Sequence, residues 1–162
     1  MKPINNILVI AASISFTIVI GAGMYEHLVL VPKWAAAPPT SLDMFRGLYA
    51  LNPGAFWMPI HPITLLLLIG ALVFNWNTAR RKYLLIHLAG YVLILALTTI
   101  YFVPELLAII HTPYQNAPDA ALTKRASQWE KLSIARMIFC IVIASVLLLS
   151  LTKGNERKMN ID

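Results

Sequence analysis

Charge is what this chain has least of. Asp, Glu, Lys and Arg make up 12% of its 162 residues, against 59% hydrophobic ones, and the mean hydropathy is +0.71. That much apolar surface does not fit into the single core of a soluble domain of this length, so the composition excludes one and calls for lipid as the solvent. Cysteine is nearly missing as well. A lone Cys140 rules out an intrachain disulfide and any C-x-x-C zinc or redox motif, and inside the run Met-Ile-Phe-Cys-Ile-Val-Ile it reads as a small buried hydrophobe. No solenoid-length repeat and no low-complexity tract is present. The net charge of +6 is a modest surplus. In a membrane chain such a surplus orients helices and is no sign of nucleic-acid binding.

What is present is long apolar runs. A spanning helix needs about 20 mostly apolar residues, and four stretches qualify, near 7–31, 57–76, 83–103 and 132–151. The last is expected to begin earlier, near 120, because Asn116-Ala117-Pro118-Asp119 resembles a helix start and good helix formers follow it. The fold class is therefore an all-α integral membrane protein, one four-helix bundle over 1–162 with long loops at 32–56 and 104–119. The first run exceeds the 7–15 apolar residues of a signal peptide and reaches Tyr25, Glu26 and His27 without a small-residue cleavage site, so it is expected to be retained. Prolines mark the boundaries: Pro32 and Pro38-Pro39 close the first helix, Pro59 and Pro62 open the second, and Pro104 and Pro113 end the third.

Orientation follows from the short turn 75–82, where Arg80, Arg81 and Lys82 stand in a row. Placing that turn in the cytoplasm puts Lys2, Lys153, Arg157 and Lys158 on the same side, while the long loops hold Asp43, Glu105, Asp119 and Glu130 as counter-charges. Both termini are then cytoplasmic, in an inner (plasma) membrane of bacterial type, and activity is expected on the outer side.

Ionisable residues in or beside a span are costly and are candidates for function. Glu26 and His27 end helix one, His61 starts helix two, Glu105 and His111 follow helix three, and Arg136 lies in the outer part of helix four. All six fall at one depth, whereas His87 lies nearer the cytoplasmic end. Gly23 lies one turn below Glu26 and His27 and leaves room there. Tyr91, Thr98 and Glu105 recur at steps of seven, with His87 four before Tyr91, a polar seam expected to face the bundle interior. Trp129 and Arg136 share a face of helix four.

Three readings of this cluster stay open. His27, His61 and His111 with two carboxylates are the ligand types of iron, zinc or copper, although the spacing matches no known metal motif. Haem would need an axial pair, and nothing in the sequence selects one. Alternatively, Glu26, Glu105 and Arg136 form a salt-bridge and hydrogen-bond network that only fixes the bundle. The third reading is a metal-free binding or catalytic pocket using the same residues. The aromatics Trp34, Tyr49, Phe56, Trp57, Tyr101, Tyr114 and Trp129 belong either to an interfacial belt or to the wall of a pocket for an aromatic substrate.

The last third of the chain carries Tyr101-Phe102-Val103-Pro104-Glu105-Leu106-Leu107 and then Ala126-Ser127-Gln128-Trp129-Glu130-Lys131-Leu132-Ser133-Ile134-Ala135-Arg136. It resembles the anthrone-oxygenase-like group of small four-helix membrane proteins, once catalogued as a domain of unknown function. In that group a Pro-containing end of helix three precedes a Trp and, seven residues later, an Arg, which Trp129 and Arg136 match. Glu105 stands where an Asn usually follows the proline. The first half is similar in layout, with a Gly-containing helix one ending in Pro32-Lys33-Trp34 and with Arg46 in the loop. The resemblance implies oxygenation of a reduced polycyclic phenol.

The expectation is a small membrane oxidoreductase or oxygenase-like protein. Its pocket for a phenolic or quinol-like molecule is lined by Glu26, His27, His61, Glu105 and Arg136 and capped by Arg46 and Trp129. Glu26, Glu105 and Arg136 are its catalytic candidates. A carboxylate or His takes the phenol proton and Arg136 stabilises the oxyanion. The expected partners are the bilayer, a hydrophobic small molecule, and a second copy or another membrane subunit. The competing expectation is a non-enzymatic binding or assembly subunit.

Overall fold

In a computed structural model, which describes residues 3–153, the chain forms four long helices and, among those residues, no strand. They are α1 (Ile4–Trp34), α2 (Gly54–Phe74), α3 (Arg81–Ile110) and α4 (Ala120–Leu151), each long and apolar enough to cross a membrane. The expected all-α four-helix membrane bundle is what the chain adopts. Lys2, Arg157 and Lys158, used above to orient it, lie outside the described residues. The 32 residues of α4 extend about 48 Å at a rise of about 1.5 Å per residue, well beyond a hydrocarbon core of about 30 Å. Its first turns therefore project past the span. Asp119 caps that start, its Oδ1 accepting from Leu122 N at 3.0 Å.

The helices run up and down in a closed ring. α1 lies beside α2 and α4, and α3 beside α4 and α2. Inside are two stacked apolar clusters. The one nearer the termini holds Val9, Phe16, Leu68, Leu84, Tyr91, Ile143 and Leu147. The one nearer the long loops holds Val31, Trp34, Leu42, Phe102, Ile109, Leu122 and Trp129. Residues from α2 contribute only to the first.

Between the clusters, α1 and α3 each contain one wide π-turn, at Glu26–Leu30 and Thr98–Phe102. The Val31 N–H reaches back to Glu26 O and the Val103 N–H to Thr98 O, and in both helices a proline follows at once. Proline has no N–H to donate, and the wide turn lets each helix pass it. Pro32 and Pro104 therefore do not end their helices, which continue to Trp34 and Ile110.

Each π-turn adds one residue to the register. Buried positions on α3 run Leu84, His87, Tyr91, Ile94, a 3-4-3 spacing that continues to 98, 101 and 105. Beyond the π-turn the inward positions are instead Phe102, Leu106 and Ile109. On α1, Val9, Ala12, Phe16 and Val19 would continue to 30 and 33, and the buried residues are Val31 and Trp34.

Hydrogen bonds close both ends. Arg80, 6% exposed, donates from Nε to Lys153 O at 3.1 Å and from Nη1 to Asn6 Oδ1 at 2.6 Å. It joins the α2–α3 turn to the start of α1 and the end of α4. At the loop end Arg46 donates to Pro39 O and Thr112 O, at 3.2 and 2.9 Å, and lies over the Tyr114 ring at 5.3 Å.

Where α3 meets α4, a Cβ placed on Gly90 would stand 2.9 Å from Ile143 Cγ2. That methyl sits on a stiff β-branched side chain whose own carbonyl accepts from His87 Nδ1 at 2.7 Å. Gly90→Ala is expected to destabilise the bundle by about 1–2 kcal/mol, overpacking outweighing the helix-propensity gain. Gly21→Ala and Gly23→Ala meet nothing within 4 Å and serve as controls that hold or raise the unfolding midpoint. Equal midpoints for all three would show that α3 and α4 are not closely apposed at Gly90.

Candidate functional site

The polar side chains between the two clusters come from all four helices: Glu26 from α1, Trp57 and His61 from α2, Thr98 from α3, Ser133 and Arg136 from α4. Trp57 Nε1 donates to Glu26 Oε1 at 2.8 Å. One turn on, the Trp57 ring stacks on His61 with centroids 5.3 Å apart and an interplanar angle of 20°. His61 Nδ1 lies 2.8 Å from the Tyr91 hydroxyl. Tyr91 is fully buried, and its ring is met edge-on by Phe16 at 5.2 Å.

Arg136 closes the layer from α4. Its Nη1 donates to Thr98 Oγ1 and its Nη2 to Ser133 Oγ, both at 2.9 Å, and the guanidinium lies 4.0 Å over the Phe102 ring. The described residues hold two salt bridges, Arg46 with Asp43 and Arg125 with Glu105, and Arg136 is in neither. Its hydrogen bonds go to neutral hydroxyls. Its charge acts across space on Glu26 and on His61. A guanidinium with fixed geometry and no directly bonded carboxylate, at the level of an embedded acid, is an arrangement that receives a negatively charged oxygen.

The π-turns set this layer. Glu26 and Thr98 are the first residues of the two wide turns, so one accepts from Trp57 and the other from Arg136. The same extra residue takes Glu105 off the seam it was expected to share with Tyr91 and Thr98. Glu105 pairs instead with Arg125, at 2.8 and 3.0 Å, on the outside of the bundle where the two side chains are 23% and 47% exposed. Such a pair contributes about 0–1 kcal/mol.

The remaining sequence candidates are placed elsewhere. Trp129 is buried in the loop-side cluster, donating to Phe102 O at 2.9 Å and packing on Trp34 and Phe102. Arg46 ties the loops. His111 is exposed just past α3. His27 turns its Nδ1 onto Gly23 O at 2.8 Å, so that nitrogen carries the hydrogen, and among the described residues the buried Nε2 has no hydrogen-bond partner. Among the described residues no group of three or more His, Cys, Asp or Glu side chains is placed to hold a metal ion. The expected metal trio His27, His61 and His111 is not assembled, because the three project from different helices into different surroundings: a backbone carbonyl, the polar layer and the exterior.

Ser133 escaped the sequence reading. Its signal was available, since a hydroxyl three residues before an arginine on a helix lies beside it. Trp57, four before His61, has the same kind of signal. No protein-family model, curated protein or solved structure matches this chain.

Proposed function

We propose that the chain is a small membrane oxidoreductase-like protein whose polar layer takes a phenolic or quinol-like molecule from the bilayer and ionises its hydroxyl. The observation that carries this reading is Arg136, a cation inside the bundle that among the described residues bonds to the Thr98 and Ser133 hydroxyls and to no carboxylate, with Glu26 within electrostatic range. An apolar ring suits the hydrocarbon surroundings, and its one ionisable oxygen suits the cation. A carboxylate or imidazole of the layer accepts the phenol proton and Arg136 balances the oxyanion. The resemblance to anthrone-oxygenase-like proteins in Trp129 and Arg136 adds oxygenation of a reduced polycyclic phenol as the reaction, with dioxygen as the oxidant and the source of the oxygen atom. By the placement of Arg80, Arg81 and Lys82, the layer lies toward the outer face of a bacterial inner membrane and the termini are cytoplasmic.

The test is calorimetric titration of 1-naphthol into the full-length protein in mild detergent. Arg136→Gln is expected to weaken binding about tenfold or more, which is about 1.4 kcal/mol, while Glu105→Gln and Arg46→Gln leave it within about twofold. Unchanged affinity in a well-folded Arg136→Gln protein removes the proposal. No binding by the wild type, together with a stoichiometric copurifying subunit, selects the assembly reading instead.

A further inference from the structure

We propose that His61 serves the layer as a neutral hydrogen-bond donor through Nε2, and that Tyr91 is the positioning residue that decides which ring nitrogen carries the proton. This rests on the reading of the layer as a phenol or quinol site and assigns the roles within it.

Among the described residues the Tyr91 hydroxyl has two polar neighbours, His61 Nδ1 at 2.8 Å and the Thr64 hydroxyl. Thr64 donates its single hydrogen to Ile60 O at 2.8 Å, and its contact with Ser15 Oγ at 2.6 Å is then one in which Ser15 donates. Thr64 therefore has no hydrogen left for Tyr91. The Tyr91 O–H is cut off from water and needs an acceptor, and with the Thr64 oxygen already accepting from Ser15 that acceptor is His61 Nδ1 at 2.8 Å. A ring nitrogen that accepts is bare, so the imidazole is neutral and its one hydrogen sits on Nε2.

Neighbouring rings hold this arrangement in place. Phe16 meets Tyr91 edge-on from α1, and Trp57 stacks on His61 while Glu26 holds the Trp57 N–H. Trp57, His61 and Tyr91 are thus fixed relative to Glu26.

The layer then offers a ligand oxygen two donors, His61 Nε2–H and the Arg136 guanidinium, and one acceptor, Glu26. Among the described residues Glu26 Oε1 is taken by Trp57, and Oε2 remains. When a phenol binds, its O–H bond breaks and a new O–H bond forms on Glu26. The negative charge passes from the carboxylate to the phenolate oxygen, which the two donors hold. His61 is then unsuited to the metal role expected from its residue type, because one nitrogen accepts from Tyr91 and the other carries a hydrogen.

The experiment is long-range ¹H–¹⁵N correlation NMR on full-length protein with ¹⁵N-labelled histidine in detergent micelles at neutral pH. His61 is assigned by the signals lost in His61→Gln. The wild type is expected to show His61 with Nε2 protonated and Nδ1 bare, and Tyr91→Phe to abolish that preference and weaken 1-naphthol about fivefold. A wild-type His61 protonated on Nδ1, or a Tyr91→Phe protein with the tautomer unchanged, overturns the proposal. If Tyr91→Phe does not fold, the wild-type tautomer alone decides. His61→Gln, whose amide N–H reaches toward the Nε2 position, is expected to bind 1-naphthol better than His61→Leu, and equal loss in both also counts against the donor role. The expected tautomer in a protein that binds no 1-naphthol would leave the Tyr91 lock standing and remove the phenol reading.

Discussion

Glu26→Ala is expected to destabilise the bundle by about 2–4 kcal/mol, because one truncation strands two groups. The Trp57 Nε1–H loses its 2.8 Å acceptor. Arg136 loses a carboxylate whose charge acts on it, in a place where lipid supplies no water to replace it. The two losses separate experimentally. Glu26→Gln keeps an amide oxygen for Trp57 and removes only the charge, so it is expected to fall between Ala and wild type. Combining Glu26→Gln with Arg136→Met removes both charges and is expected to regain stability relative to Glu26→Gln alone, since a solitary embedded charge costs more than none. Unfolding midpoints in mixed micelles measure all four proteins. If Glu26→Ala unfolds like the wild type, Glu26 and Arg136 do not belong to one layer and the proposed site falls with them.

A loss of similar or larger size is expected from Trp129→Ala, about 3–5 kcal/mol for a buried tryptophan cut to a methyl group. Trp129 is 4% exposed, fills the space between Trp34 and Phe102, and satisfies the Phe102 carbonyl inside the π-turn of α3. Trp129→Phe retains most of the packing and gives up the hydrogen bond, for about 1 kcal/mol. The same pair of variants weighs two roles for this residue. As a buried strut, Trp129→Phe leaves 1-naphthol affinity within about twofold. As a wall of the ligand site it would change that affinity as much as Arg136→Gln does, and the place of Trp129 in the loop-side cluster would then need revision.

The four helices were legible in the sequence because the bilayer imposes a simple requirement: about 20 apolar residues that satisfy their own backbone hydrogen bonds. Arg136 and Glu26 were legible for the complementary reason, that an ionisable side chain is rare in such a run. Glu105 was misplaced on the interior seam because a step of seven implies one face only while the helix keeps its ordinary turn. The wide turn at Thr98–Phe102 breaks that count by one residue. Val-Pro occurs at the same point in α1 and α3, at Val31-Pro32 and Val103-Pro104, but read as a helix end. Sequence distinguishes poorly between a proline that stops a helix and one that a π-turn accommodates, because the choice depends on whether the residues beyond it have something to pack against. Here they do: Trp34 and Ile109 lie in the loop-side cluster.

Composition and hydropathy thus determined the solvent, the number of spans and the short list of costly polar residues, all of which depend on single side chains and their transfer free energies. The partnerships within that list were decided only by the packed bundle. Which histidine faces a carbonyl and which the Tyr91 hydroxyl, which acid joins the layer and which pairs at the surface, depend on helix phase. Phase was reset in the two helices by one extra residue each, a shift set by packing between helices distant in sequence.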